Sequence, residues 1–130
     1  MSPAGNRWGQ VVDLSYTVGM IDRQTAQHYS WGSGCDGWHL VQTASLSVIE
    51  ERMPPGTSEI RHYHRNADQF FYVLQGSLSI EVAGSEFALS PGQGVHVPAG
   101  EPHQVLNRAA ADAEFLVVSS PSSHGDRVPA

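Results

Sequence analysis

Two histidines separated by a single residue, in the stretch HYHRNADQ (62–69), carry the strongest chemical signal in this sequence. On an extended strand residues i and i+2 project to the same side. His62 and His64 therefore present two imidazoles to one face, which is half of a metal site. Four residues separate His64 from Gln69, enough for the chain to turn and bring position 69 back alongside them. His103 opens another extended run, HQVLN, and supplies a third imidazole.

The elements that would position these groups are strands. Short alternating or apolar runs, including ASLSVIEERM, QFFYVLQG, SLSIEVAG, GVHVP and AEFLVVSS, are punctuated by the turn sequences PPG, AG, PGQG and PAGEP. Turn signals every ~8–12 residues are the pattern of an antiparallel sandwich or barrel. The expectation is an all-β domain over residues 36–120, preceded by an arm (1–35) and followed by a polar, frayed tail (121–130). Within the arm, VVDLSYTVGM reads as a strand and IDRQTAQHYS as a short helix.

Composition narrows the function classes. The net charge is −6, and there is no basic stripe, so neither nucleic acid nor an anionic membrane surface is an expected partner. All seven basic residues are arginine, which excludes Schiff-base chemistry on lysine. The single cysteine, Cys35, excludes an intrachain disulfide and a Cys-rich zinc cluster. With no basic residue nearby to activate it, Cys35 reads as unreactive. No apolar leader and no run of ~20 apolar residues is visible, so the expected location is cytoplasmic.

The histidines belong to two longer patterns. The first is Gly56-x5-His62-x-His64-x4-Gln69-x6-Gly76, and the second is Gly92-x5-Pro98-x-Gly100-x2-His103-x3-Asn107, fifteen residues further on. Together and in order they resemble the two motifs of the cupin superfamily, small jelly-roll barrels with a metal inside. Every named position matches but one, where the family carries glutamate and this chain carries Gln69. The resemblance implies a cupin-type jelly-roll β-barrel with His62, His64, Gln69 and His103 in the four ligand positions. It implies one divalent transition metal per chain. Imidazole donors suit Zn, Ni, Fe, Mn, Co or Cu, with Zn or Ni favoured for Lewis-acid work and Fe for oxidation. His28, His39, His96 and His124 match neither motif.

A glutamate ligand would bring the formal charge of such a site from +2 to +1. The carbonyl oxygen of glutamine coordinates without adding charge, so the metal remains a stronger Lewis acid and gains no anionic donor to favour high oxidation states. The reading that follows is an isomerase, tautomerase or lyase on a small oxygenated compound resembling a sugar, uronate or keto acid. An iron-dependent cupin dioxygenase is the alternative, and a non-enzymatic barrel that binds metal or a small ligand is the third.

Strand parity suggests the remaining site residues. Phe71 and Val73 share the parity of Gln69 and are expected to line a substrate pocket. Glu51 shares the parity of Ile49 and Met53, making it the candidate inward acid and catalytic proton carrier. Tyr63 and His96 are expected to point outward. Phe70, Tyr72 and Leu74 form an outward apolar stripe, from which a homodimer is expected. The segment SWGSGCDGWHL (30–40) reads either as a loop over the barrel mouth or as a plug at its end.

Overall fold

The computed structural model describes residues 19–130, which form eleven strands. In chain order these are β1 (Gln27–Trp31), β2 (Cys35–Gln42), β3 (Ser47–Met53), β4 (His62–His64), β5 (Asp68–Gln75) and β6 (Leu78–Val82). They continue with β7 (Ser85–Leu89), β8 (Gly94–Val97), β9 (His103–Leu106), β10 (Ala113–Ser120) and β11 (Arg127–Pro129). Two antiparallel sheets result, one ordered β1-β2-β3-β10-β5-β8 and the other β11-β4-β9-β6-β7. The all-β jelly-roll expectation is met.

Alternation builds the interior. Along β10, Ala113, Phe115, Val117 and Ser119 are buried, while the residues between them are more exposed. Along β5 the buried set is Gln69, Phe71 and Val73. Because side chains directly opposite in a ladder share a face, register places them in rows. Ser47, Ser119 and Gln69 form one row across β3, β10 and β5; Ile49, Val117 and Phe71 form the next; Glu51, Phe115 and Val73 form the third. Thus one sheet grades from polar to apolar along its inner face. The core cluster of Met53, Phe71, Val73, Leu78, Ile80, Val105 and Phe115 fills the apolar end.

Several expectations need correction at the ends of the chain. The segment IDRQTAQHYS is not a helix. Asp22 accepts from Thr25 and Ala26 in a single turn, and the chain then enters β1. One turn is too short to repay helix nucleation, whereas β1 gains a full ladder with β2. The segment 30–40 is neither a lid nor an irregular plug but the β1–β2 hairpin, in which Trp31 pairs with Cys35. Cys35 is wholly buried there, and burial pushes its thiol pKa up, in keeping with an inert residue.

The tail is not frayed, because β11 pairs with β4 and covers the edge that β4 would otherwise expose. The sheets therefore extend beyond 36–120 in both directions, through β1 and β11. The strand expected over VVDLSYTVGM lies outside the described residues except for Gly19 and Met20, which are not in a strand.

Candidate metal centre

His62 and His103 are direct partners in the β4–β9 ladder, and His64 lies two residues along β4 on the same face. Each of the three is buried, and one ring nitrogen from each lies within 4.8 Å of the others. Their ring centroids are 4.5–5.8 Å apart. The Nδ1 of His62 is 2.7 Å from the carbonyl oxygen of Ile60, and the Nδ1 of His103 is 3.0 Å from that of Glu101. A carbonyl only accepts, so both rings carry their proton on Nδ1 and offer the Nε2 lone pair.

Burial holds all three imidazoles neutral. The pKa of His62 and of His64 falls to about 4, chiefly through desolvation, and that of His103 is also lowered by burial. Neutral imidazole is the form that binds metal.

Gln69 completes the group. Its amide nitrogen donates to the Ser119 hydroxyl at 3.0 Å, which leaves Oε1 as the free end of the side chain. Gln69 Oε1, His64 Nδ1 and His103 Nε2 are buried without a hydrogen-bond partner. A buried polar atom left unpaired costs about 1–3 kcal/mol. Unpartnered buried polar atoms on three residues around one cluster are what a resident cation would satisfy, and His62, His64, His103 and Gln69 fit such an ion as donors.

The tail helps to frame this site. The Asp126 carboxylate accepts from the backbone N–H groups of Arg65, Asn66 and Ala67 at 2.9–3.0 Å, gripping the link between His64 and Gln69. Those bonds, that from Asn66 foremost, hold its carboxyl below the ordinary value. The last residue of the second motif, Asn107, is structural. Its amide nitrogen donates to the carbonyls of Met53 and Ala111, and its oxygen accepts from Ala109.

His62 and His64 open onto a cavity of about 250 Å3 lined by Tyr29, Glu51, Glu59, Phe71, Val117 and Arg127, among others. Parity places Glu51 in this cavity as expected, and Phe71 on its wall. Val73 is a correction. It packs opposite Phe115, wholly enclosed in the core, and does not line the cavity.

Three cavity residues were not anticipated. Tyr29 reaches Glu51 across β2, its hydroxyl donating to the Glu51 carboxylate at 2.8 Å. It can do so because its register partner is Gly37, itself the partner of Glu51; a Cβ at position 37 would overlap the Tyr29 ring. Alternation within QHYSW, taken with the small residue in the facing strand, is the signal for Tyr29. Glu59 accepts from the Val105 amide at 3.1 Å and lies 4.0 Å from His62 Nδ1, beyond hydrogen-bond range. Nothing in the local pattern marks Glu59. Arg127 becomes visible only once β11 is known to pair with β4.

Burial dominates the electrostatics of both acids. Desolvation raises the Glu51 pKa to about 7, against opposing effects of the Tyr29 hydrogen bond and the Arg127 charge. Desolvation, reinforced by Glu51, raises the Glu59 pKa to about 8. Burial likewise pushes the Tyr29 phenol well above its ordinary range, so it remains a donor. Near neutral pH the cavity thus holds carboxyl groups poised to give or take a proton.

The other histidines take no part in the cluster. His28 binds Asp36 at 2.7 Å, the His39 ring lies tilted against that of Tyr29, and His96 and His124 are exposed.

Known proteins show the same architecture. The tetracenomycin polyketide synthase protein TcmJ of Streptomyces glaucescens is 33% identical over 69 residues, covering 53% of this chain and 46% of that protein. Quercetin 2,3-dioxygenase of Bacillus subtilis is 36% identical over 56 residues, covering 43% of this chain and 17% of that enzyme. The chain thus spans about half or less of the length of these curated relatives. A sugar phosphate isomerase of the cupin superfamily from Silicibacter pomeroyi superposes with a TM-score of 0.71 at 28% identity, covering 80% of this chain and 76% of the other. The cupin domain model matches residues 49–119, from β3 through the buried histidines to β10. With both histidine motifs inside that span and the double-sheet barrel around them, the chain belongs to the cupin family.

Proposed function

We propose that this cupin is a metal-dependent isomerase, tautomerase or lyase acting on a small oxygenated compound such as a sugar derivative, uronate or keto acid. One observation carries the reading: the fourth donor position holds a neutral amide whose nitrogen is taken by Ser119 and whose oxygen is free. His62, His64 and His103 would hold the ion, with Gln69 Oε1 as the fourth donor, and Zn or Ni is the metal proposed. When bound, the ion supplies Lewis-acid polarisation of a substrate carbonyl or hydroxyl.

The chain's own residues do the rest. Glu51, with its pKa raised to about 7, takes a proton from the carbon next to the polarised group and returns it elsewhere on the substrate. Tyr29 donates to the Glu51 carboxylate and fixes its orientation. Phe71 and Val117 supply an apolar wall that limits water. A cavity of about 250 Å3 suits a compound smaller than the ~300–1,000 Å3 typical of drug-sized ligands. The likeness to a sugar phosphate isomerase supports the same class of chemistry.

The test is proton exchange. Zn- or Ni-loaded protein, incubated in D2O with a panel of keto acids and uronates, should incorporate deuterium beside the carbonyl of its substrate. The Glu51→Gln variant should bind metal but lose that exchange. Exchange undiminished in Glu51→Gln would remove the acid from the mechanism.

The similarity to quercetin 2,3-dioxygenase favours a second reading, iron on three histidines with oxygen chemistry. Substrate-dependent oxygen uptake by iron-loaded protein, with no proton exchange, would select it.

A further inference from the structure

We infer that Arg127, delivered by the C-terminal strand, is the anion anchor of this cavity and that the substrate carries a carboxylate. The inference deepens the proposed function by naming the charge its substrate must bear, and it rests on that reading for the cavity being a substrate site.

Register comes first. Arg127 is the direct partner of His64 in the β4–β11 ladder, so their side chains share the inner face. It lines the same cavity as His62, His64, Gln69 and Glu51. Asp126, one residue earlier, grips the 65–67 link and so fixes where β11 begins.

Availability comes second. Among the described residues, Arg23, Arg52, Arg61 and Arg108 all form ion pairs with carboxylates. Arg127 does not. Its guanidinium makes one side-chain hydrogen bond, to the Ile60 carbonyl at 3.2 Å, and the rest of its fork is uncommitted. The cavity acids feel the Arg127 charge but make no bond with it; their hydrogen bonds go to Tyr29 for Glu51 and to the Val105 amide for Glu59. A cavity that holds an uncommitted guanidinium beside acids bonded to other groups is a receptor for an anion.

Chemistry then selects the anion. A single planar fork matches the two oxygens of a carboxylate. The fork takes phosphate oxygens as well, but a dianion asks for more than one cationic side chain, and among the described residues Arg127 is the only arginine lining the cavity. His62 and His64 lie on the sheet that carries Arg127, and Gln69 and Glu51 line the same cavity from the other sheet. A 2-oxo or 2-hydroxy acid held by its carboxylate at Arg127 would thus direct its reacting carbons toward them.

The experiment is a titration of Zn-loaded and metal-free full-length chain with pyruvate, pyruvamide and inorganic phosphate. Wild type, Arg127→Gln, Arg127→Lys and Arg65→Gln are compared, with melting temperature followed for each. Arg127→Gln should weaken pyruvate binding about tenfold or more, the usual worth of a charged hydrogen bond, and leave pyruvamide unchanged. Arg127→Lys keeps the charge but loses the fork, and should fall between the two. Arg65→Gln, an exposed arginine outside the cavity, should change nothing.

Unchanged pyruvate affinity in Arg127→Gln would overturn the proposal. So would an equal loss in Arg65→Gln, which would mark a long-range field instead of a contact. Phosphate binding more tightly than pyruvate, with the same dependence on Arg127, would overturn the carboxylate assignment. If Arg127→Gln unfolds, Arg127→Lys decides, with wild-type affinity counting against the proposal. Because the ratio of variant to wild type is read with and without metal, it stands or falls separately from Lewis-acid catalysis.

Discussion

Gln69 and Ser119 face each other across the β5–β10 ladder, and the Gln69 amide nitrogen donates to the Ser119 hydroxyl at 3.0 Å. That bond decides which end of the amide is spent on the protein and which is left for an ion. A serine at 119 therefore has as much to do with the character of the site as the glutamine itself.

Gln69→Glu should keep or strengthen metal binding, because a carboxylate is the better donor, while turnover falls as the ion loses Lewis acidity. Gln69→Ala should weaken binding only modestly, since three imidazoles remain. Ser119→Ala removes a buried bond worth about 1 kcal/mol and frees the amide to rotate, so metal affinity should drop roughly fivefold with the fold intact. Metal occupancy and turnover measured side by side check all three. Wild-type turnover in Gln69→Glu would strip the amide of chemical meaning.

The pH dependence of the metal-free protein should betray Glu51. Its folded pKa of about 7 lies above the ordinary value of 4.5, so the native state holds the proton more tightly than the unfolded chain. The contribution to stability is complete below about pH 4.5 and declines as pH rises through about 7. Glu51→Gln should abolish that decline and be more stable than wild type at pH 8, by about 1–3 kcal/mol after allowance for solvent reaching the acid through the cavity. Denaturant melts at pH 5 and pH 8 make the comparison. Parallel pH profiles for the two proteins would show that Glu51 titrates normally.

Tyr29 depends on the missing side chain at position 37. Gly37→Ala should push the ring off Glu51 and destabilise the β1–β2 hairpin by about 1–3 kcal/mol. Tyr29→Phe should spare the hairpin yet remove the hydrogen bond to Glu51, shifting the pH profile of turnover with little change in metal content. A Tyr29→Phe profile identical to wild type would confine the tyrosine to packing.

Phe70 and Leu74 are each about two-fifths exposed on the outer face of β5, with Tyr72 between them and stacked on Phe70. We propose that a second copy of the chain covers this stripe. Light scattering at micromolar concentration should give the mass of a dimer, and Phe70→Glu with Leu74→Glu should give a monomer that still binds metal. A monomeric wild type would refute the assembly.

The sequence by itself determined the class of fold, the three histidines and the inward sense of Gln69, Phe71 and Glu51. All of these follow from local rules: an alternation of period two, turns marked by glycine and proline, and two ligand motifs confined to short stretches of chain. A local period says which side of a strand a residue occupies but not what lies opposite. Only the tertiary structure decided that Val73 belongs to the core, that Ser119 claims the Gln69 nitrogen, and that Tyr29 reaches Glu51 over Gly37. It also decided that the last residues form a strand beside the histidines. Arg127 follows His64 by more than sixty positions in the chain and becomes its neighbour through backbone hydrogen bonds in the ladder, to which a side-chain pattern offers no clue. Pairing between distant strands is a property of the closed barrel, settled by which edges need covering once the core has formed.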